Sequence, residues 1–319
     1  MNLFNRAIRL FLFVTVAIVG LAAAIAAFMA RLVLAPTRTT LWTTPDEVGL
    51  SYSDVQFPAR HDGIRLSGWF IPADHQEGEK RPTVIMIHGW PWQRLGEEPV
   101  GPAAQLLRSS KVDLLRMAKS LRDAGYHVLM FDLRNHGESA SAGSITFGQQ
   151  EANDLLGAID YVKSIPEVDD NRIGTLGFSM GGNTILYGLT HTDQLKAAIA
   201  VQPTSPAHFA KRLAHDMTGP LSKLVLPMTN WFIELGGGMR MRETDPLYAA
   251  PSAGQTPVLF VQGAGDKWGS VENVTEIAAA TPNTIDLIIA AEATDRYSGY
   301  QYIIDNPHIA ISFFDDYLV

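Results

Sequence analysis

The chain has 319 residues, 46% apolar and 18% charged, which supplies a core and excludes a disordered polyelectrolyte. Lysine and arginine number 25 against 33 aspartates and glutamates, a formal net charge of -8, so there is no overall basic character with which to hold nucleic acid. Cysteine is absent, which excludes disulfides, thiolate nucleophiles, iron–sulfur clusters and cysteine-ligated zinc.

In chain order, the first feature is an uncharged apolar run over residues 10–30, preceded by Arg6 and Arg9 and closed by Arg31. At about 1.5 Å per residue, a helix over that run matches a hydrocarbon core of roughly 30 Å. Residues 1–34 therefore read as a transmembrane anchor. Ala22, Ala24, Ala26 and Ala27 offer small residues where a signal peptidase could cut, so a secretory signal is the alternative. The run is longer than the roughly 7–15 apolar residues of a signal h-region, which favours the anchor. Its denser positive cluster is N-terminal, which predicts a cytosolic N-terminus and a domain on the periplasmic or extracellular side. Residues 35–45, threonine-rich and holding Pro36 and Pro45, read as a linker, and the globular domain as 46–319.

Short apolar runs rich in β-branched residues follow at 66–71, 84–87, 128–131, 173–176, 198–201, 258–261 and 285–289. From Val84 onward most are separated by helical patterning, as in Val112, Leu115, Met117, Ala118 and Leu121, and again in Ala152, Leu155, Leu156, Ile159 and Val162. Continuous apolar strands divided by helices predict an α/β fold, a mostly parallel sheet of about eight strands flanked by helices. Residues 55–58 and 66–71 differ, because only a turn containing Asp62-Gly63 separates them; this predicts an antiparallel hairpin at one sheet edge. Residues 203–251 break the rhythm with Pro206, Pro220, Pro227, Pro246 and Gly236-Gly237-Gly238, and read as a small helical cap, either a lid over a cleft or a surface excursion.

Gly177-Phe178-Ser179-Met180-Gly181 lies between the strand at 173–176 and a helical run at 183–189. A G-x-S-x-G at such a junction forces the serine into a sharp turn, with glycines where neighbouring backbone passes closely and a helix N-terminus beneath it. Three further segments accompany it. These are His88-Gly89-Trp90 after a strand, Asp132-Leu133-Arg134-Asn135-His136-Gly137-Glu138-Ser139 after another, and Gly263-Ala264-Gly265-Asp266 after a third.

In these residues the chain resembles the α/β-hydrolase superfamily from about residue 50 to the C-terminus. The resemblance implies acyl transfer: Ser179 as nucleophile, the backbone N–H groups of Met180 and Trp90 as oxyanion hole, and Asp266 orienting a histidine base. The chain departs from the family's D-x-R-G-H-G-x-S loop at Asn135, which tolerates left-handed backbone as glycine does. The order serine, aspartate, histidine puts the base after Asp266, in the loop following the last strand. No histidine stands in that loop. Asp295 occupies the place, and a carboxylate with an ordinary pKa near 3.9 is a poor base for a serine hydroxyl. Three readings stay open: His308, early in the last helix, as a relocated base; His208 or His215 supplied by the cap; or a site without a working base.

His136 and His88 read as loop-ordering residues. No H-E-x-x-H is present, Asp169-Asp170 and Asp315-Asp316 lack calcium-loop spacing, and no Lys-Ser or Lys-Thr follows the glycine run, so neither metal nor other cofactor is expected. Trp90, Pro91, Trp92, Trp231, Phe232, Met239 and Met241 either line an apolar pocket or pack the cap to the core. The expected partners are a small-molecule or lipid-like acyl substrate and a bilayer. The leading function is a membrane-anchored serine hydrolase acting on a carboxylic ester or related acyl bond; the alternative is a catalytically impaired binding or scaffold protein.

Overall fold

The computed structural model describes residues 3–36, 38–100 and 109–319. Helix α1 (Leu3–Leu34) leads into an eight-stranded sheet ordered β1-β2-β6-β3-β7-β8-β9-β10. These strands are β1 (Ser53–Pro58), β2 (Arg65–Ile71), β3 (Arg81–Ile87), β6 (His127–Phe131), β7 (Val168–Phe178), β8 (Ala197–Val201), β9 (Val258–Gly263) and β10 (Thr284–Ala290). The two-residue strands β4 (Gly96–Glu97) and β5 (Val112–Asp113) pair apart from it. β1 and β2 form the expected edge hairpin, with Asp54 opposite Trp69, and β2 also runs antiparallel to β6. Every other pairing in the large sheet is parallel.

Alternation along the strands divides the core into two faces. Ile85, Ile87, Leu129 and Phe131 point to one side; Val84, Met86, Val128 and Met130 point to the other. The first face is covered by α3 (Ala152–Lys163), α4 (Met180–Leu189) and α7 (Val271–Ala280). The second is covered by α2 (Leu114–Asp123), α8 (Arg296–Asp305) and α9 (Pro307–Leu318). Burial on both faces is why the central strands carry no polar alternation.

The cap is a pair of helices, α5 (Pro206–Thr218) and α6 (Ser222–Leu235), followed by short 3-10 turns between Met241 and Ser252. Ser205 caps α5 by accepting from the His208 N–H, and Pro206 fits its first turn, where no amide donor is needed. Helix α1 is long and apolar enough to cross a bilayer, yet its two halves differ. Phe4, Leu10, Phe11, Phe13 and Val16 are exposed, whereas Ala22 and Ala26 are buried against Val225 of α6, and Ala30 and Val33 enter the main core. Alanine at four-residue intervals lets the two helix axes approach closely. The segment after α1 also lies on the domain. Arg38 donates to the Gly137 carbonyl at 2.8 Å, and Trp42 packs on the second core face.

Candidate active site

The elbow geometry follows from local sterics. β7 ends at Phe178 and α4 begins at Met180, so the chain reverses within Ser179, whose φ of 52° and ψ of -112° lie outside the usual regions for a side-chain-bearing residue. A Cβ on Gly177 would stand 2.4 Å from the Gly181 carbonyl oxygen, and one on Gly181 would stand 2.4 Å from that of Ile87. Both glycines are therefore required by close backbone approach. The 88–90 turn lies against the elbow, since a Cβ on Gly89 would be 3.1 Å from the Phe178 carbonyl oxygen. The Met180 N–H opens α4 and has no intrahelical partner. Among the described residues, neither it nor the Trp90 N–H is taken by another backbone group.

Ser179 and Asp266 are brought together through a residue that sequence reasoning missed. Arg296, at the first position of α8, donates from Nη2 to Ser179 Oγ at 2.9 Å and from Nη1 to Asp266 Oδ2. Its guanidinium sits over the rings of Phe209 and Tyr300, at 5.1 and 5.3 Å from their centroids, and Thr204 Oγ1 accepts at 3.3 Å. Asp266 is buried and also accepts from the N–H groups of Trp268 and Gly269. Burial opposes the charge on Arg296, but Asp266 and Tyr300 beside it hold the guanidinium above its ordinary pKa. The Tyr300 phenol, also hydrogen-bonded to Ser179 and Arg296, is pushed up to about 12, chiefly by burial.

The expectations about a base need correction. His308 is exposed on the first turn of α9, outside the cavity lining, because α8 intervenes between the last strand and the last helix. Asp295 does not replace the histidine either. It is the exposed N-cap of α8, accepting from the Ser298 N–H at 2.7 Å, and this fixes the direction in which Arg296 leaves the loop. The pair Asp295 and Ser298, three residues apart, was the available signal for that helix start.

His215 is exposed, and His208 bonds to Ser270 Oγ at 3.2 Å. Among the described residues no imidazole is bonded to Ser179. His88 is structural: its Nε2 accepts from Leu133 N–H at 3.0 Å and its Nδ1–H donates to the Gly89 carbonyl. Burial and the neighbouring His136 lower its pKa to about 3. His136 is buried and bonds the Arg134 carbonyl through Nδ1 at 2.8 Å, and Asn135 adopts the left-handed backbone with φ of 69°.

A cavity of about 890 Å³ opens above Ser179. Its walls come from Trp90 and Trp92 in the turn after β3, from α5 of the cap and from Ile25, Phe28, Met29 and Leu32 of α1. Trp90 thus lines it, while Trp231 stays exposed on the cap's outer face and Phe232 packs against α1. Among the described residues no cluster of metal-ligating side chains occurs.

Comparison with known proteins agrees with this architecture. The X-Pro dipeptidyl-peptidase (S15) family pattern matches residues 62–220, a stretch that holds the elbow and ends before Asp266 and Arg296. The uncharacterized protein YfhR of Salmonella typhi is 31% identical over 159 residues, 49% of this chain and 45% of that protein. The thiohydrolase aneE of Aspergillus aculeatus is 24% identical over 66% of this chain and 54% of its own length. The chain spans about half the length of the first curated relatives it matches. Among solved structures, an esterase of Pyrococcus furiosus superposes with a TM-score of 0.66 at 22% identity, covering 90% of this chain and 99% of that one. The chain belongs to the α/β-hydrolase superfamily, and the enzymes named among its relatives and structural neighbours are chiefly esterases, peptidases and other hydrolases.

Proposed function

We propose that this chain is a membrane-tethered α/β hydrolase that binds an acyl compound above Ser179 but turns it over only at the residual rate of a site without a base. The observation carrying this reading is the Arg296 bridge between Asp266 and Ser179. A guanidinium has five donors and no acceptor, and cannot take the proton a serine hydroxyl must lose. Tyr300, with its phenol held near 12, is no better placed to do so at neutral pH. What remains is a strained elbow and unengaged oxyanion donors, the parts that bind and polarise an acyl carbonyl. Hydrolytic scaffolds stripped of a triad member keep roughly 10³–10⁴-fold catalysis over water and lose the rest. The apolar cavity supports a lipid-like acyl ligand and the bilayer-length α1 supports anchoring by that helix, while Arg6 and Arg9 before its apolar run favour a domain on the periplasmic or extracellular side.

p-Nitrophenyl esters from acetate to palmitate test the reading on full-length protein. The expected result is binding without rapid turnover, with rates within about tenfold between wild type and Ser179→Ala. A rate that falls a thousandfold or more in Ser179→Ala contradicts it. The retained elbow strain and the position of His208, bonded to Ser270 beside Asp266, favour one second reading, in which cap movement delivers His208 as base. That reading expects Ser179-dependent hydrolysis lost in His208→Ala.

A further inference from the structure

Arg296 is the single charged side chain among the described residues that line the cavity; Asp266 lies behind it and outside the lining. One face of the guanidinium is neutralised by Asp266, and the other meets Ser179 Oγ at the cavity floor. The polar groups gathered at that floor are mainly donors: Arg296 Nη2, the Ser179 hydroxyl, and the Met180 and Trp90 N–H groups. Such a set complements a head that only accepts hydrogen bonds and carries negative charge. The walls are mostly aliphatic and aromatic, and Phe28 of α1 and Met217 of α5 both line the cavity and are exposed, so they stand at its mouth. Phe28 belongs to the helix that is long enough to cross a bilayer, so with that helix in a membrane the mouth would stand beside the hydrocarbon.

We infer that the cavity is a binding site for a single-chain fatty acid, its carboxylate held at the floor by Arg296, Ser179 and the unengaged backbone donors, its tail running past Phe209 and Leu213 toward Phe28 and Met217. The inference rests on the proposed acyl-binding, slowly turning site and names its ligand class. An arginine where a base would stand converts a floor built to stabilise a transient oxyanion into one that holds a stable carboxylate. Both are acceptor-only groups, but only the second carries full charge in its ground state. Entry from the bilayer follows from the position of α1, since the acyl chain need not cross water.

The test uses full-length protein in phosphatidylcholine nanodiscs, with empty discs subtracted, titrated with radiolabelled palmitate and with radiolabelled methyl palmitate. Palmitate is expected to bind at least about tenfold tighter than the ester, the scale of one charge-assisted hydrogen bond. In the double variant Arg296→Met/Asp266→Asn, which removes both buried charges together, palmitate loses that advantage while methyl palmitate stays within about threefold. Ala210→Trp, which fills the cavity from α5, abolishes both. Equal binding of acid and ester by wild type, or palmitate binding unchanged in the double variant, overturns the inference. Release of free acid from methyl palmitate is followed in the same discs. Rapid Ser179-dependent release defeats the slow-turnover reading, whereas no release together with no preference for palmitate defeats the fatty-acid site alone.

Discussion

Arg296 and Asp266 form an ion pair withdrawn from solvent at the centre of the site, with side chains 7% and 0% exposed. Removing only the cation leaves a buried carboxylate uncompensated, which costs about 3–5 kcal/mol, whereas removing both charges can be near neutral. Arg296→Met is therefore expected to lower the urea midpoint strongly and Arg296→Met/Asp266→Asn to recover most of it. Equal midpoints for wild type and the single variant contradict the buried pair. His88 supplies a pH dependence. Its ring stays neutral in the fold down to a pKa of about 3, while the unfolded chain protonates near the ordinary value of 6.5. Between those values the unfolded state binds more protons, so stability present above pH 6.5 is lost as pH falls, and His136, also lowered chiefly by burial, acts in the same sense. At pH 5 the His88 contribution alone is about 2 kcal/mol lower than at pH 7. Denaturation at the two pH values checks this, and the acid loss is expected to shrink in His88→Asn.

At the scale of elements, α1 combines a membrane-length helix with a structural wall. Its first half, through Leu21, is mostly exposed apolar surface, and its second half packs on α6, the core and the cavity. The Val33 carbonyl accepts from the Ile145 N–H at 3.0 Å, and Leu34 lies against Gly236 and Gly238 at the end of α6. Deletion of residues 2–20 is expected to abolish membrane association and leave the melting temperature within about 2 °C. Deletion of residues 2–34 uncovers Val225 and Ile233 and is expected to lower it by about 5 °C or more, since a few kcal/mol shifts a domain of this size by that much. Flotation on liposomes and thermal denaturation read the two effects separately. Equal melting temperatures for both deletions contradict the packed wall.

For the whole molecule, legibility followed the range of the interactions. The sheet was readable because strands buried on both faces must be apolar along their length: the runs at 84–87, 128–131 and 198–201 all fall within β3, β6 and β8. The elbow was readable because Gly177 and Gly181 answer to backbone atoms a few residues or one strand away. The base position was not, because it depends on where a short helix starts after β10. Asp295 stands at the loop position where the histidine was expected, and the structure makes it the N-cap of the helix that begins at Arg296. Nor does periodicity announce that the inner half of α1 lines the cavity, since a helix apolar all round has no preferred face until its neighbours are known. These two unreadable features, Arg296 bonded to Ser179 and α1 in the cavity wall, set the floor and one side of the site.

The most direct measurement of the central claim is the rate at which a fluorophosphonate probe labels full-length wild-type protein, compared with Ser179→Ala. A hydroxyl held by Arg296 and without a base is expected to label no faster than the alanine variant within about threefold. Rapid stoichiometric labelling that vanishes in Ser179→Ala would show an activated nucleophile and contradict the account.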